Sequence, residues 1–228
     1  MHNTLIRPEI IDRVMKRRGR VHWFDALDPN TTALVVIDMQ DTFCAEGAPA
    51  EVPVSRAIVA PINKLTRQLR PLGVPVIWVL HANVQHGGKS DAEIFFDYVV
   101  ADEVRARTLE SLAPGKQRVY AGLEQGNDDL TVMKNRYSAL ISGASQLERI
   151  LRNLGIDTVL IAGTKTNVCC ESTARDAMML DFKVVMLSDC CAALSDEEHN
   201  ATLETIIQQF GDVMTGDEAV GLLTKPSP

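Results

Sequence analysis

The sequence predicts an α/β protein in which a mostly parallel, six-stranded sheet is doubly wound between two layers of helices. Three observations predict this fold: apolar runs of strand length recur along the chain, segments of helical spacing lie between them, and glycines follow those segments. The alternation favours right-handed crossovers between parallel strands. In such a three-layer α/β/α fold, ligands bind at the carboxyl ends of the strands.

The strand-length runs are continuously apolar rather than alternating with polar residues. A strand covered by helices on both faces needs this pattern, because neither of its faces meets water. The six predicted strands cover residues 33–39, 74–80, 130–133, 158–162, 183–187 and 212–215.

Two connecting segments have the spacing of amphipathic helices. Residues 55–72 place apolar side chains three or four positions apart, and Gly73 follows where a helix C-cap belongs. Residues 145–154 repeat this pattern and end at Gly155. The loops of residues 81–127 are the least regular part of the chain, and we expect them to shape a substrate pocket.

The charge, composition and cysteine content exclude several classes of function. The chain has 228 residues, of which 46% are hydrophobic, as is typical of a globular protein. Its 23 Lys and Arg against 30 Asp and Glu give a net charge of −7, which argues against binding to nucleic acid or membranes. No run approaches the roughly 20 apolar residues of a membrane span, and the N-terminus lacks a signal-peptide core, so a cytoplasmic location is expected. The five cysteines indicate reduced thiols rather than disulfides or a zinc site.

Three motifs follow predicted strands and contain residues capable of chemistry. They cover residues 35–41, 132–139 and 160–177, and their central members are Asp38, Lys134 and Cys169. Because the carboxyl ends of parallel strands meet at one edge of the sheet, these residues are expected to converge on one cleft.

Each of the three residues also has a plainer interpretation. Asp38 follows apolar residues and either caps a turn or pairs with a cation, since an unpaired buried carboxylate is costly. Lys134 is either a solvated strand end or the partner of Asp38. Cys169 is placed on the first turn of a helix, whose N–H groups stabilise a thiolate and an oxyanion, although free cysteine is usually a small buried residue. The residues alone do not distinguish Cys169 from Cys170 as the nucleophile.

Taken together, the three motifs resemble those of the isochorismatase-like cysteine hydrolases, over residues 30–224. This family includes nicotinamidases, N-carbamoylsarcosine amidohydrolase and ureidoacrylate amidohydrolase, and the resemblance implies the isochorismatase-like hydrolase fold. It implies that Asp38 is the general base and acid, that Lys134 stabilises the thiolate and carboxylate, and that Cys169 forms the covalent intermediate.

The resemblance also implies an oxyanion hole and a pocket. A cis peptide bond is implied between Thr164 and Lys165, with the backbone N–H groups of Lys165 and Cys169 as oxyanion donors. The Lys165 side chain departs from the small or apolar residue usual in the family, and is expected either to reach the cleft and select an anionic group or to point to solvent. Gln40, Phe43 and Tyr137 flank the motifs and are expected either to line the pocket or to belong to the core.

The function expected from the resemblance is hydrolysis of a carbon–nitrogen bond other than a peptide bond in a small amide, ureide or N-carbamoyl compound, with release of ammonia. No metal or other cofactor is expected, because His81 and His86 lie in the region of the nicotinamidase metal site without its Asp-x-His pair. The alternatives are a nicotinamidase-like or isochorismatase-like hydrolase, or a catalytically silent binding protein of the same fold.

The resemblance further divides the chain into an N-terminal arm, residues 1–29, and a hydrolase domain, residues 30–228. It implies a homodimer or homotetramer. Apolar residues such as Ile10, Val14 and Trp23 in the arm are expected to pack on a neighbouring subunit or on the arm's own domain.

Overall fold

The computed structural model describes residues 1–87 and 89–225 and contains the predicted three-layer fold. Its strands are β1 (Thr32–Ile37), β2 (Val76–His81), β3 (Gln85–His86), β4 (Lys89–Ser90), β5 (Leu130–Lys134), β6 (Thr158–Thr164), β7 (Lys183–Ala192) and β8 (Asp212–Met214). The central sheet has the strand order β5, β2, β1, β6, β7, β8, and all of its neighbours pair in parallel. Strands β3 and β4 form a separate antiparallel pair.

Helices cover both faces of the central sheet. They are α1 (Pro8–Arg18), α2 (Asp41–Cys44), α3 (Val59–Leu69), α4 (Glu93–Tyr98), α5 (Asp102–Ser111), α6 (Leu147–Asn153), α7 (Glu171–Met179), α8 (Asp196–Gln209) and α9 (Gly216–Leu223). Helix α3 is extended at its two ends by the 3₁₀ segments Pro53–Ile58 and Arg70–Leu72.

Two cores form because successive side chains of a strand point to opposite faces. Val35 and Ile37 of β1 pack in one core with residues of α6, α7 and α8, whereas Leu34 and Val36 pack in the other with residues of α3 and α9. All six residues of β1 are buried, which explains why the strand runs are apolar without alternation.

Differences from the predicted elements lie mainly at their ends. Strand β7 continues five residues past its predicted end at residue 187, and its register against β6 shifts between Ile161 and Gly163. The predicted helix 55–72 is α-helical only over its middle, Val59–Leu69, and its two ends are 3₁₀ segments. Gly73 and Gly155 follow their helices with φ of 78° and 70°, as predicted for C-caps.

The N-terminal segment packs on its own domain. Ile10 and Val14 of α1 are buried, and the guanidinium of Arg7 donates to Glu204 of α8 at 2.7 Å. No helix within residues 1–87 and 89–225 is long and apolar enough to cross a membrane. The boundary near residue 29 and the homo-oligomeric state stay predictions.

Candidate active site

Asp38, Lys134 and Cys169 meet at the carboxyl edge of the central sheet. Asp38 follows β1, Lys134 ends β5, and Cys169 lies in the turn after β6. Strand β2 separates β1 from β5, so the Lys134 side chain must reach past β2 to approach Asp38. The last residue of β2, His81, is the cross-strand partner of Lys134.

The backbone at Asp38 is unusual. Its φ is 54°, in the left-handed region that residues other than glycine rarely occupy and that is concentrated at functional sites. The strand beside it makes room through Gly163, since a Cβ there would lie 2.0 Å from the carbonyl oxygen of Ile37. Glycine is therefore required where β6 passes the end of β1.

Asp38 and Lys134 form a buried ion pair. The Nζ of Lys134 lies 2.8 Å from Oδ2 of Asp38, and the two side chains are 0% and 1% exposed. Nζ also lies 3.0 Å from His81 Nδ1 and 3.0 Å from the carbonyl oxygen of Arg136. Oδ2 of Asp38 is engaged by Lys134, whereas no residue of the described chain donates a hydrogen bond of good geometry to Oδ1, so Oδ1 keeps lone pairs that can accept a proton.

Burial sets the pKa values of the three groups. Burial raises the pKa of Asp38, although Lys134 and the Cys169 thiol oppose it. Burial alone would lower the pKa of Lys134, but the negative charges of Asp38 and Cys169 outweigh it and raise that pKa. Burial, reinforced by Asp38, raises the pKa of Cys169 to about 12. These directions favour a neutral Cys169 thiol and an ammonium on Lys134, and they make Asp38 a stronger base than an ordinary aspartate.

The cysteine lies on a wider turn than the predicted α-helical one. Residues Thr166–Cys170 form a single π-helical turn, followed directly by α7. The N–H groups of Val168 and Cys170 both donate to the carbonyl oxygen of Lys165, at 3.1 Å. The Thr173 hydroxyl donates to the carbonyl oxygen of Cys169 at 2.7 Å and anchors the turn on α7. Such π-turns recur at functional sites.

The structure separates the two adjacent cysteines. Cys169 is 6% exposed and lines a cavity that Asp38 also lines. Cys170 is fully buried in the core, where burial raises its thiol pKa well above the usual value. Only Cys169 of the pair is therefore in position to meet a ligand.

Backbone geometry next to the cysteine matches the expected oxyanion hole in two respects. The peptide bond between Thr164 and Lys165 is cis, as predicted. The N–H of Lys165 donates to no acceptor among residues 1–87 and 89–225, which leaves it available to a ligand. Lys165 is one of the residues that line the cavity, and it is half-buried.

The cavity has a volume of about 400 Å³ and a mostly apolar wall. Two of the three predicted pocket residues, Phe43 and Tyr137, line it. The other apolar lining residues are Pro49, Ala50, Val52, Phe95, Val99, Leu112, Val168 and Leu194, and Glu51, His81 and Thr164 add polar groups. Phe95 and Val99, from α4 and its end, lie in the irregular loop region and were not foreseen.

Gln40 does not line this cavity, contrary to expectation. Its side chain is 1% exposed; Oε1 accepts from the N–H of His81 at 2.6 Å and Nε2 donates to the carbonyl oxygen of His81 at 3.1 Å. Both polar atoms of the Gln40 amide thus bind the backbone at the end of β2, and Gln40 supports the site from within the core. Sequence spacing could not distinguish a pocket-facing amide from a core-facing one.

Sequence reasoning considered His81 only as part of a metal region and missed its place beside Lys134. The signal that could have revealed it is its position at the end of a predicted parallel strand, the same signal that revealed Asp38 and Lys134. Within the described residues, no cluster of three His, Cys, Asp or Glu side chains is arranged as a metal site.

An aspartate and a cysteine line one cavity at the carboxyl edge of a doubly wound sheet, and a buried lysine pairs with the aspartate. This is the arrangement expected of the isochorismatase-like cysteine hydrolases. The chain belongs to the isochorismatase family: the isochorismatase domain matches residues 32–218. The predicted family and fold are thereby confirmed.

Relatives across the family carry different descriptions. A probable inactive nicotinamidase of Arabidopsis thaliana is 32% identical over 173 residues, covering 75% of this chain and 86% of that protein. The ureidoacrylate amidohydrolase of Agrobacterium fabrum is 29% identical over 216 residues, covering 89% of this chain and 94% of that protein. The crystal structure of a cysteine hydrolase from Pseudomonas syringae superposes with a TM-score of 0.78 at 32% identity, covering 89% of this chain and 96% of that one.

Proposed function

We propose that this protein is a cysteine-dependent amidohydrolase that cleaves a carbon–nitrogen bond in a small amide, ureide or N-carbamoyl compound and releases ammonia. The observation that carries the proposal is the buried Asp38 carboxylate, which pairs with Lys134 through Oδ2 and lines the same cavity as Cys169. A buried base with free lone pairs beside a neutral thiol is suited to take that thiol's proton. Membership in a family with amide-hydrolysing relatives supports the same conclusion.

The first half of the reaction would form a thioester. The Cys169 proton moves to Asp38 while Sγ attacks the substrate carbonyl carbon, and the N–H groups of Lys165 and Cys169 stabilise the oxyanion. The carbon–nitrogen bond then breaks, and the proton held by Asp38 moves to the departing nitrogen. Lys134 remains an ammonium throughout and stabilises the charge on Asp38 and Sγ.

The second half would restore the enzyme with water. Asp38 takes a proton from a water molecule, whose oxygen attacks the thioester carbon. The carbon–sulfur bond breaks, and the proton on Asp38 returns to Sγ, so the products are ammonia and a carboxylic acid or carbamic acid. No oxidant, reductant or further co-reactant is needed.

The cavity limits the size of the substrate. A volume of about 400 Å³ is at the lower end of small-molecule sites and suits a compound of modest size. Its apolar wall favours a substrate whose body beyond the amide is at least partly apolar, and Lys165 offers a positive charge to any carboxylate at its edge. The ureide preference drawn from the cysteine motif stays part of the proposal.

The test is ammonia release from a panel of small amides, ureides and N-carbamoyl compounds. The protein is compared with Cys169→Ala and with the matched control Cys170→Ala, each before and after chelator treatment. We expect Cys169→Ala alone to abolish turnover and to abolish the mass adduct of the covalent intermediate. Activity retained in Cys169→Ala would overturn the nucleophile assignment.

One relative is described as probably inactive, so a silent member of the fold is the second candidate. The filled Asp38, Lys134 and Cys169 positions argue against it. A protein that releases no ammonia from any panel compound and forms no adduct at Cys169 would favour it.

A further inference from the structure

A chain of hydrogen bonds leads away from Lys134 on the side opposite Asp38. His81 Nδ1 lies 3.0 Å from Lys134 Nζ, and His81 Nε2 lies 3.0 Å from Oδ1 of Asn83. Nδ2 of Asn83 donates to Oδ1 of Asp91 at 2.8 Å. The second oxygen of Asp91 accepts from Nδ2 of Asn135, also at 2.8 Å.

Donor and acceptor chemistry fixes every direction in this chain. An ammonium has only protons to give, so Nδ1 of His81 must accept, and the ring proton must be on Nε2. Nε2–H then donates to the Asn83 oxygen, which leaves the Asn83 amide nitrogen to donate to Asp91. A carboxylate at the far end only accepts, so Asp91 completes the chain without conflict.

The ammonium of Lys134 also has an acceptor for each of its protons. Its three N–H groups face three acceptors, namely Asp38 Oδ2 at 2.8 Å, His81 Nδ1 at 3.0 Å and the carbonyl oxygen of Arg136 at 3.0 Å. A lysine has four rotatable bonds and loses much rotamer freedom when buried. Fixed acceptors on three sides therefore decide where its charge lies.

The environment of His81 keeps its ring neutral. His81 is 6% exposed, and Asn83 is fully buried. Burial, together with the charges of Lys134 and Arg136, lowers the pKa of His81 well below its usual value. A protonated ring would have no lone pair for Lys134 and would repel it.

We propose that His81 is a positioning residue, held by Asn83 and Asp91, that acts as a neutral acceptor and keeps the Lys134 ammonium against Asp38. The inference rests on the proposed function, since Lys134 is positioned for the hydrolysis of an amide. It gives His81, Asn83 and Asp91 a part in catalysis that acts through Lys134, and His81 also lines the cavity.

The kinetic test compares His81→Asn with His81→Leu. These side chains have nearly the same shape and leave nearly the same space, but only asparagine offers an acceptor oxygen near the place of Nδ1. We expect kcat of His81→Leu to be at least about tenfold below that of His81→Asn, the loss typical of a misplaced catalytic group, with KM within about threefold for both. Equal kcat values in the two variants would overturn the proposal.

The exposed His86 provides the control, because it lies outside the hydrogen-bonded chain. His86→Asn and His86→Leu should both retain the wild-type kcat and KM. A similar difference in kcat between His86→Asn and His86→Leu would mean that the substitution itself, rather than the lost acceptor, lowers kcat. That result would count against the proposal.

A second measurement needs neither a variant nor turnover. In the full-length protein labelled with ¹⁵N-histidine, the assigned His81 ring should carry its proton on Nε2 and should not titrate between about pH 5 and 8, where an ordinary histidine does. A proton on Nδ1, or titration in that range, would overturn the proposal. If the protein releases no ammonia from any compound of the panel, the proposed function is overturned. The ¹⁵N spectrum still tests the hydrogen-bonded chain in that case.

Discussion

Lys134 Nζ lies 2.8 Å from Asp38 Oδ2, although the strands that carry the two residues are separated by a third strand. The contact is possible because Lys134 extends past His81, its partner in β2, toward the turn at Asp38. A salt bridge with both side chains almost completely buried persists only when its partners satisfy each other. The pair therefore couples the stability of the sheet edge to the chemistry proposed there.

Asp38→Asn should remove the proton acceptor with little change in shape. We expect kcat to fall by about 10²–10⁴-fold, the range for loss of a general base. Asp41→Asn, which changes an exposed carboxylate three residues along the chain, should leave turnover at the wild-type level. Steady-state ammonia release measures both variants, and an Asp38→Asn enzyme that keeps more than about a tenth of kcat would rule out this role.

Alkylation of Cys169 should be slow at neutral pH and should accelerate as the pH rises. Because burial raises the pKa of Cys169 to about 12, the thiolate fraction grows about tenfold per pH unit from about pH 7 to 9. Iodoacetamide labelling followed by peptide mass spectrometry measures the rate, and Cys170→Ala should give the same slope. A rate that is already maximal at neutral pH would mean that the resting site holds a thiolate.

Gly163→Ala should destabilise the protein strongly, because the new methyl group would lie 2.0 Å from the Ile37 carbonyl oxygen at a φ of 116°. We expect a loss of about 3 kcal/mol or more in the free energy of unfolding, at or above the upper end of the usual cost of overpacking, because the clash is with backbone atoms. Gly143→Ala has a positive φ of 81° but open space around it, and should lose only about 1 kcal/mol. Urea denaturation of both variants isolates the effect of the clash. Equal losses of free energy of unfolding in the two variants would show that the clash does not destabilise the protein.

Stability should decrease as the pH falls below the ordinary histidine range. Burial lowers the pKa of His199 from 6.5 to about 4, so between these values the unfolded chain binds a proton that the folded protein does not. The free energy of unfolding is therefore lost as the pH falls from 6.5 toward 4. His199→Gln should show a smaller difference between pH 7 and pH 5 in urea denaturation, whereas His86→Gln should match the wild type.

His199→Gln should still lose some free energy of unfolding between pH 7 and pH 5, because burial also lowers the pKa of His81. If the free energy of unfolding changes by the same amount between pH 7 and pH 5 in His199→Gln and in the wild type, His199 does not contribute to the acid sensitivity.

Removal of residues 1–28 should reduce stability without changing the oligomeric state. The arm buries Ile10 and Val14 on its own domain, and exposing that contact should lower the free energy of unfolding by at least about 3 kcal/mol. Thermal denaturation measures the first effect, and size-exclusion chromatography measures the second. A smaller oligomer would show that the arm also contributes to a subunit interface.

Much of the fold is predictable from sequence because burial on both faces leaves a strong local signal. The strands β1, β2 and β6, which are buried throughout, coincide with the predicted apolar runs, and Gly73 and Gly155 mark where helices end. The ends of strands are less predictable: β7 extends to Ala192 because its partner β6 also continues, and this pairing is absent from the local pattern.

The convergence of Asp38, Lys134 and Cys169 follows from the sequence by itself, since all three come after strands whose carboxyl ends share one edge. Only the tertiary structure decided which way neighbouring side chains point. Gln40 turns into the core to bind the backbone of His81, Phe95 enters the cavity from α4, and Lys134 is buried rather than solvated. The physical reason is that strand position depends on local burial, whereas side-chain direction depends on hydrogen-bond partners that are distant in sequence and are brought together only by the order of strands in the sheet.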